Sequence, residues 1–493
     1  MSQPPDLPSS VRSKRNIAVW ILWGCFLFPV FAAVLIPAYY IEEKTRGKMQ
    51  WERYEMEAKG RGVKLDFIDF IPPKVPEAEN FASMPVFEAC AHAVDSGQSA
   101  PNPFELPKPT IGGIPKNSDS NKQKPVDLVA WQKYFVETKI LPAAGDNVAA
   151  DVLKALDTFA DPLSQLREAG HRPHCRFPIH WEKGPGAELP QFEVLRAAAK
   201  LYALRLNAHL AIGDHAAACA DFHDAMALVR VIRREPSMIA GLVRSATTVL
   251  MQNAVWDGLA EHRWTDADLR AIDADLVHLD WLDDELFSMA SERAACNEVA
   301  DIVIRRPHEL DNLSKENDAE MKRFLSVYPT GWFYFSKLRM NRLFDEMAAR
   351  VDPAGHRFHG DRKITHSAPS IVDPLERIRY MLFVVLTSVY EDGEAHFVHA
   401  AAMTDETRLA CALERFRQAR GEFPQTLGEL TPQFIDRVPA DVVNGEPYHY
   451  RLTDDGSFVL YSVGTNLRDD GGVIDPGLKW SKQLDWVWRY PAK

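Results

Sequence analysis

The chain has 493 residues, of which 46% are hydrophobic and 26% are charged, a composition typical of folded globular proteins. This length exceeds what one hydrophobic core usually organises, so we expect two or three domains. The formal net charge of −12 argues against nucleic acid as the main partner, because binding to phosphates requires a basic face.

The first predicted element is a membrane anchor. Residues 17–41 contain no charged side chain, and spanning a bilayer takes about 20 apolar residues. Trp20, Trp23 and Tyr40 lie near the ends of this run, as expected for an interfacial aromatic belt. A cleaved signal peptide is the alternative, although its apolar region usually has about 7–15 residues. We therefore predict a cytoplasmic tail over residues 1–16, an uncleaved transmembrane helix over residues 17–41, and the bulk of the chain on the outer side of the membrane.

Two segments separate the predicted anchor from the main domain. Residues 42–96 begin with a charged, helix-favouring stretch and continue with prolines and aromatic residues. We interpret them as a juxtamembrane stalk followed by a segment that packs on the main domain. Residues 97–126 contain six prolines among Gly, Ser, Asn and Lys, which predicts a linker or a large irregular excursion.

Residues 127–400 have the hydrophobic periodicity of a large α-helical domain. Apolar residues recur every three or four positions at Phe192, Leu195, Ala199, Tyr202, Leu206 and Leu210. Gly213 and Asp214 then predict a tight turn into a second helix, which makes a helical hairpin over residues 192–233. This hairpin resembles a single tetratricopeptide repeat, whose small and aromatic packing positions are matched by Tyr202, Gly213, Asp214, Ala218, Phe222 and Ala225.

Residues 401–493 predict a small α+β module. Leu409, Ala412, Leu413 and Phe416 form the buried stripe of a helix that ends at Gly421 and Pro424. Thr426 and Glu429 have the spacing of a capping box for a short second helix, as Thr265 and Asp268 have earlier in the chain. Two alternating strands follow about the turn sequence TDDG, which predicts an antiparallel hairpin. The expected fold class is therefore mainly α, with a short antiparallel sheet at the C-terminus.

This module resembles the C-terminal part of the type II secretion major pseudopilin over some 70 to 90 residues. The resemblance is carried by "RGEFPQTLGEL", by the segment from Asp441 to Tyr450, and by the segment from Tyr461 to Asn466. The whole chain is also similar to uncharacterised membrane-anchored proteins of Planctomycetes and Verrucomicrobia, which implies that the membrane is a bacterial inner membrane and that the bulk of the chain is periplasmic. The first resemblance implies a helix followed by a small sheet, and a calcium site in the loop after the last strand of the hairpin.

The matching loop of this chain contains Asn466, Asp469, Asp470 and Asp475. These side chains carry the oxygen atoms that Ca²⁺ prefers, although Ca²⁺ takes 6–8 oxygen ligands and would also need carbonyl groups or water. A solvated Asp-Gly loop, whose residues only permit the turn, is the alternative interpretation. The residue types alone leave both interpretations open.

Histidines offer other candidate chemistry. His356, His359 and His366 lie close together in sequence, His396 and His399 are three residues apart on a predicted helix, and His171, His174 and Cys175 form a third group. No spacing fixes the three or four ligands of a typical zinc site. We therefore favour a non-enzymatic protein that binds or scaffolds protein partners in the cell envelope, near a secretion or pilus-like assembly. A metal-dependent envelope hydrolase using these histidines is the alternative.

Overall fold

The structure is a computed structural model that describes residues 9–108, 114–115, 125–306, 327–367, 373–387, 390–475, 478 and 483–490. Side chains are described over the same ranges except residues 9–30, 182, 185, 390–392 and 489–490. Parts of the predicted tail (residues 1–8) and of the predicted linker (residues 109–113 and 116–124) therefore lie outside the described residues. So do the side chains of residues 17–30 in the predicted span.

The described chain is mainly helical, as predicted. The α-helices are α1 (Ser9–Gly60), α2 (Pro85–Asp95), α3 (Leu128–Glu137), α4 (Val148–Leu156), α5 (Ala160–Ala169), α6 (Gln191–Ile212), α7 (His215–Val231), α8 (Met238–Ala260), α9 (Asp266–Leu276), α10 (Trp281–Arg305), α11 (Thr330–Ala348), α12 (Pro374–Arg379), α13 (Met381–Thr387) and α14 (Tyr390–Arg420). Short 3₁₀ helices cover Phe67–Phe70, Glu77–Glu79, Asp157–Phe159, Trp181–Gly186 and Leu427–Leu430. Among the described residues, no helix combines the length and the apolar character needed to cross a membrane.

The strands form two small antiparallel sheets. They are β1 (Val351–Asp352), β2 (Arg357–Phe358), β3 (His449–Leu452), β4 (Phe458–Ser462) and β5 (Trp486–Tyr490). Strand β1 pairs with β2, and β4 lies between β3 and β5. The predicted hairpin is confirmed, with Leu452 opposite Phe458 across the turn, whereas β5 was not predicted from the sequence.

The chain divides into two compact units. The first unit comprises residues 1–63, 297–342 and 368–386. Its apolar core contains Ala300, Val303, Tyr328, Phe333 and Leu382. In this unit α1 lies against the start of α11, where a Cβ on Gly331 would lie 2.3 Å from the carbonyl oxygen of Glu43. The indole Nε1 of Trp332 donates to the buried carboxylate of Glu43 at 3.1 Å, so residues after the predicted span are part of a packed core.

The second unit comprises residues 64–296, 343–367 and 387–493. At its centre, α14 packs on α8 and α9 and also on strands β4 and β5. Helices α6 and α7 form the predicted helical hairpin, because Gly213 adopts a φ of 81° and the Asp214 carboxylate accepts from the backbone N–H of Ala217. The resemblance to a tetratricopeptide repeat stays a prediction.

Local signals at the C-terminal module are confirmed. Helix α14 ends at Arg420, where Gly421 has a φ of 86°. Thr426 and Glu429 form the predicted capping box, and so do Thr265 and Asp268 at the start of α9. These features depend on residues at most four positions apart, which explains why the sequence indicates them directly.

Candidate functional site

The predicted calcium loop is organised around Asp469. Oδ1 of Asp469 accepts from the hydroxyl group of Tyr461 at 2.9 Å and from the backbone N–H of Gly471 at 2.9 Å. The ring of His449 stacks on the ring of Tyr461, with 4.8 Å between the ring centroids. Nδ1 of His449 lies 3.5 Å from Oδ2 of Asp469. The hydrogen bond from Gly471, followed by that from Tyr461, lowers the pKa of Asp469. Asp469 is therefore an ionised carboxylate held against the sheet.

The other three predicted residues occupy different positions in the loop. The Asn466 amide donates to Oδ2 of Asp470 at 2.7 Å, whereas the backbone N–H of Asp475 donates to Oε1 of Gln483 at 3.0 Å. Asn466, Asp469 and Asp470 thus belong to one short turn, and Asp475 is bonded to the chain segment that leads into β5.

Asp485, which the sequence reasoning missed, closes this loop. Its buried carboxylate accepts from the backbone N–H groups of Asp470 at 3.1 Å and Gly472 at 2.8 Å. Burial raises the pKa of Asp485, and the charges of Asp470 and Asp469 raise it further. The signal in the sequence was weak, because Asp485 precedes a strand that was itself not predicted.

The loop therefore combines three carboxylates with backbone donors. Within the described ranges, no three His, Cys, Asp or Glu side chains converge into a group that could hold a metal ion. In the described arrangement, the oxygens of Asp469, Asp470 and Asp485 accept hydrogen bonds from the protein. Calcium binding by this loop stays a prediction.

The histidine groups of the sequence are distributed among separate partners. Nε2 of His356 lies 2.8 Å from Oδ2 of Asp405, and Nδ1 of His366 lies 2.7 Å from Oε1 of Glu346. His399 is buried with its ring 5.0 Å from that of Trp486, and burial lowers the pKa of His399 to about 3. In the described part of the chain, each of these three imidazoles is oriented by its own partner, which is a carboxylate for His356 and His366 and an aromatic ring for His399.

A network of buried acids joins α14 to the C-terminal sheet. Oδ1 of Asp441 accepts from the hydroxyl group of Ser462 at 2.9 Å, and Oδ2 of Asp441 accepts from the backbone N–H of Val463 at 3.1 Å. Oε1 of Glu406, on α14, accepts from the backbone N–H of Ser462 at 3.0 Å. Asp441 and Ser462 belong to the two separate segments on which the predicted resemblance to the pseudopilin module depends, and the fold brings them together.

The second unit also contains a cavity of about 780 Å³. It lies between residues 100–108, the first half of α6, the middle of α8 and Trp131 of α3. Apolar side chains line it, among them Phe104, Trp131, Leu201 and Leu250, and charged side chains also contribute, namely Glu105, Lys108, Glu193, Arg196 and Lys200. Phe104, Trp131 and Leu201 are buried, whereas the charged residues are exposed. The sequence predicted a linker or irregular excursion for residues 97–126, and did not predict that part of it lines a cavity.

Comparison of the chain with models of known protein families, with curated proteins and with solved structures finds no match.

Proposed function

We propose that this chain is a single-pass membrane-anchored protein of the bacterial cell envelope, with a binding or scaffolding role and its bulk in the periplasm. Residues 17–41 are the proposed anchor. They lie within the continuous helix α1, and the described part of the run exposes apolar side chains at Phe31, Leu35 and Ile36, each more than half exposed. An exposed apolar helix surface of this kind is stable when lipid or another apolar surface covers it.

The observation that carries the binding role is the cavity in the second unit. Ligand sites in proteins are concave, mostly apolar and about 300–1,000 Å³ in volume, with a few polar groups that orient the ligand. The cavity of about 780 Å³, with apolar walls and charged side chains around them, has these properties.

The C-terminal module supports a role beside a secretion or pilus-like assembly. Its helix, capping box and hairpin follow the order found in the pseudopilin module, and Asp441 is bonded to Ser462 across the two matching segments. We propose that this module contacts protein partners in the envelope.

The anchor is tested by fractionating bacteria that produce the full chain fused after Lys493 to alkaline phosphatase, an enzyme that is active only after export. We expect the fusion in the carbonate-resistant membrane fraction, with phosphatase activity. Replacing Phe31 and Leu35 together with arginine should move the chain out of the membrane, because each arginine near the middle of a span costs about 2.5–3.5 kcal/mol. Met56→Arg, at an exposed position outside the span, is the control and should leave fractionation unchanged. A fusion that is soluble or inactive contradicts the proposal.

A further inference from the structure

We propose that the cavity of the second unit binds a single-chain amphiphile with an anionic head group. Its alkyl chain would lie against the apolar wall and its carboxylate or phosphate beside the basic side chains. This inference rests on the proposed binding function and names the class of ligand.

The wall of the cavity favours an alkyl chain. Phe104, Trp131 and Leu201 are buried and offer aromatic and aliphatic surface, and Leu250 continues that surface along α8. Removing apolar surface from water is favourable by about 25 cal/mol per Å², so an alkyl chain gains affinity in proportion to the length that the cavity accepts. A volume of about 780 Å³ is within the range that accepts a ligand of this size.

The charged lining favours an acid over a base. Three basic side chains, Lys108, Arg196 and Lys200, contribute to the lining together with two acidic ones. The lining therefore carries an excess of one positive charge on a chain whose formal net charge is −12, so it contrasts with the average surface. Arg196 is exposed, and its Nη1 lies 2.9 Å from Oε1 of Glu193, which holds the guanidinium near the cavity. A net positive charge beside the cavity attracts an anionic group in preference to a cationic one.

The wall also contains a hydrogen-bond donor that the described residues leave unsatisfied. Nε1 of Trp131 is buried and has no acceptor among the described residues. Buried donors in folded proteins are normally paired with protein groups or with bound molecules. Nε1 is covered by neighbouring atoms, so a ligand oxygen can accept from it only after these atoms move, and a pure hydrocarbon cannot accept at all.

The experiment uses the full chain in nanodiscs of a zwitterionic lipid and a hexadecanoic acid that carries a photoreactive diazirine. After irradiation, labelled peptides are quantified by mass spectrometry. We expect labelling of peptides that contain Phe104, Trp131 or Leu201. Ala246→Trp should reduce it at least about tenfold, because Ala246 lines the cavity and is exposed there, so that an indole fills the space with little cost to folding. Ala216→Trp, at an exposed position on α7, is the matched control, and its cavity peptides should be labelled as strongly as those of the unmodified chain.

The charge requirement is tested with a second pair of variants. Arg196→Glu combined with Lys200→Glu should weaken binding of the acid at least about tenfold, because like charges then face the head group. Labelling by the corresponding hexadecanol probe should not change. Lys154→Glu, on an exposed face of α4 outside the cavity, is the control. Competition by dodecanoate and by dodecyl phosphate distinguishes a free acid from a phospholipid-type head group as the source of the anion.

The chain requirement is tested by competition with alkyl carboxylates of increasing length. Affinity should rise about fourfold for each added methylene until the cavity is filled, and should then level off. Equal labelling by the acid and the alcohol would overturn the anionic class while leaving the binding function in place. Labelling that Ala246→Trp does not reduce, or no labelling of the wall by either probe, would overturn the site itself. Loss of the chain from the membrane fraction would instead contradict the proposed anchor.

Discussion

His356 has a φ of 48°, an unusual conformation for a residue other than glycine, and its Nε2 lies 2.8 Å from Oδ2 of Asp405. The hydroxyl group of Tyr448 also donates to that oxygen, at 3.1 Å. The hydrogen bond to Asp405 is the main cause that raises the pKa of His356. The charges of Asp405 and Asp280 add to the effect, whereas burial and the charge of Arg437 oppose it. The imidazolium form is therefore favoured in the folded protein.

This arrangement predicts a pH-dependent contribution to stability. A raised histidine pKa stabilises the folded state fully below the unfolded pKa of about 6.5, and the contribution is lost as the pH rises through the folded pKa. Because 41% of the His356 side chain is exposed, solvent screening limits the effect to about 1 kcal/mol or less. We expect His356→Gln to lower the free energy of unfolding in urea at pH 5.5 and to have a smaller effect at pH 9. His278→Gln, at an exposed position, is the control; an equal loss at both pH values would contradict the role of the charge.

Asp485 makes a second residue-scale prediction. Asp485→Ala removes the acceptor for the backbone N–H of Gly472, which is buried, and an unsatisfied buried donor costs about 1–3 kcal/mol. We expect a loss of that size in urea unfolding and faster hydrogen exchange at the Gly472 amide. Asp454→Ala, at an exposed position in the β3–β4 turn, should change stability by less than about 0.5 kcal/mol. Unchanged exchange at Gly472 would show that Asp485 does not hold the loop.

At the scale of elements, the end of β4 depends on a glycine that the fold requires for two reasons. Gly464 has a φ of 62°, and a Cβ at this position would lie 2.3 Å from the carbonyl oxygen of Leu484. Gly471, in the same loop, has a φ of 83° but no atom within 4 Å of its Cβ position. Substitution of Gly471 therefore tests the cost of the backbone conformation alone, whereas substitution of Gly464 tests that cost together with the cost of a steric clash.

We expect Gly471→Ala to cost about 1 kcal/mol, the penalty of a left-handed conformation alone. Gly464→Ala should cost at least about 2 kcal/mol, because the strand ends must also move apart. Urea unfolding of the two variants and of Gly186→Ala provides the measurement. Gly186 has neither a positive φ nor an atom near its Cβ position, so its variant is the control. Equal costs at Gly464 and Gly471 would mean that β4 and the segment before β5 are not held so closely.

The loop from Asn466 to Asp475 is the element on which the calcium prediction depends. If it binds calcium, the ion at 100 times its dissociation constant should stabilise the protein by about 2.7 kcal/mol relative to chelator. Asp469→Ala combined with Asp470→Ala should remove this gain, and Asp454→Ala should keep it. Identical melting temperatures in calcium and in chelator would assign the carboxylates to the turn alone. The same measurement with zinc tests the hydrolase hypothesis, which requires zinc to raise the melting temperature relative to chelator.

At the scale of the whole molecule, the second unit buries many carboxylic acids. Burial is the main cause that raises the pKa of Asp221 and Glu394 to about 7, of Glu235 and Asp257 to about 8, and of Glu285 and Glu406 well above the usual range. Both oxygens of Glu285 lack a hydrogen-bond partner among the described residues, and the charge of Glu394 disfavours its ionisation further. A folded chain of this kind holds protons that the unfolded chain releases.

These acids predict that the stability of the second unit falls as the pH rises from 6 to 8. Each proton released on unfolding contributes a slope of about 1.4 kcal/mol per pH unit. His399 and His209 act in the opposite direction, because burial lowers their pKa values and their contribution is lost as the pH falls below about 6.5. Because the six acids outnumber these two histidines, we expect urea unfolding between pH 5.5 and 8.5 to show a stability that decreases as the pH rises, with the highest value at the acidic end of this range.

Replacing Glu285 with its neutral isostere, glutamine, measures the contribution of this one acid to the pH dependence of stability. Glu285→Gln should flatten the dependence of stability on pH above 6, since the amide needs no proton to be buried. Glu188→Gln, at an exposed position, should leave the slope unchanged. Stability that increases from pH 6 to pH 8, or an unchanged slope in Glu285→Gln, would contradict this account of the buried acids.

The sequence by itself determined the features whose cause is local. The periodicity of α6, the left-handed Gly213, the capping boxes at Thr265 and Thr426 and the β3–β4 hairpin all depend on residues a few positions apart. Hydrophobic spacing and helix capping depend on residues within one or two helical turns of each other, so the amino-acid sequence indicates them directly. The mainly helical class with a small antiparallel sheet follows from these signals.

Only the tertiary structure decided which polar groups meet. Asp405 contacts His356 across 49 positions and Tyr448 across 43, and Ser462 donates to Asp441 across 21. The cavity likewise joins residues 100–108 to α3, α6 and α8. Burial and pairing of this kind arise from packing between distant elements, which no local pattern encodes. For the same reason no local pattern predicts the role of Asp485, because its carboxylate meets the N–H of Gly472 only through the pairing of β5 with β4.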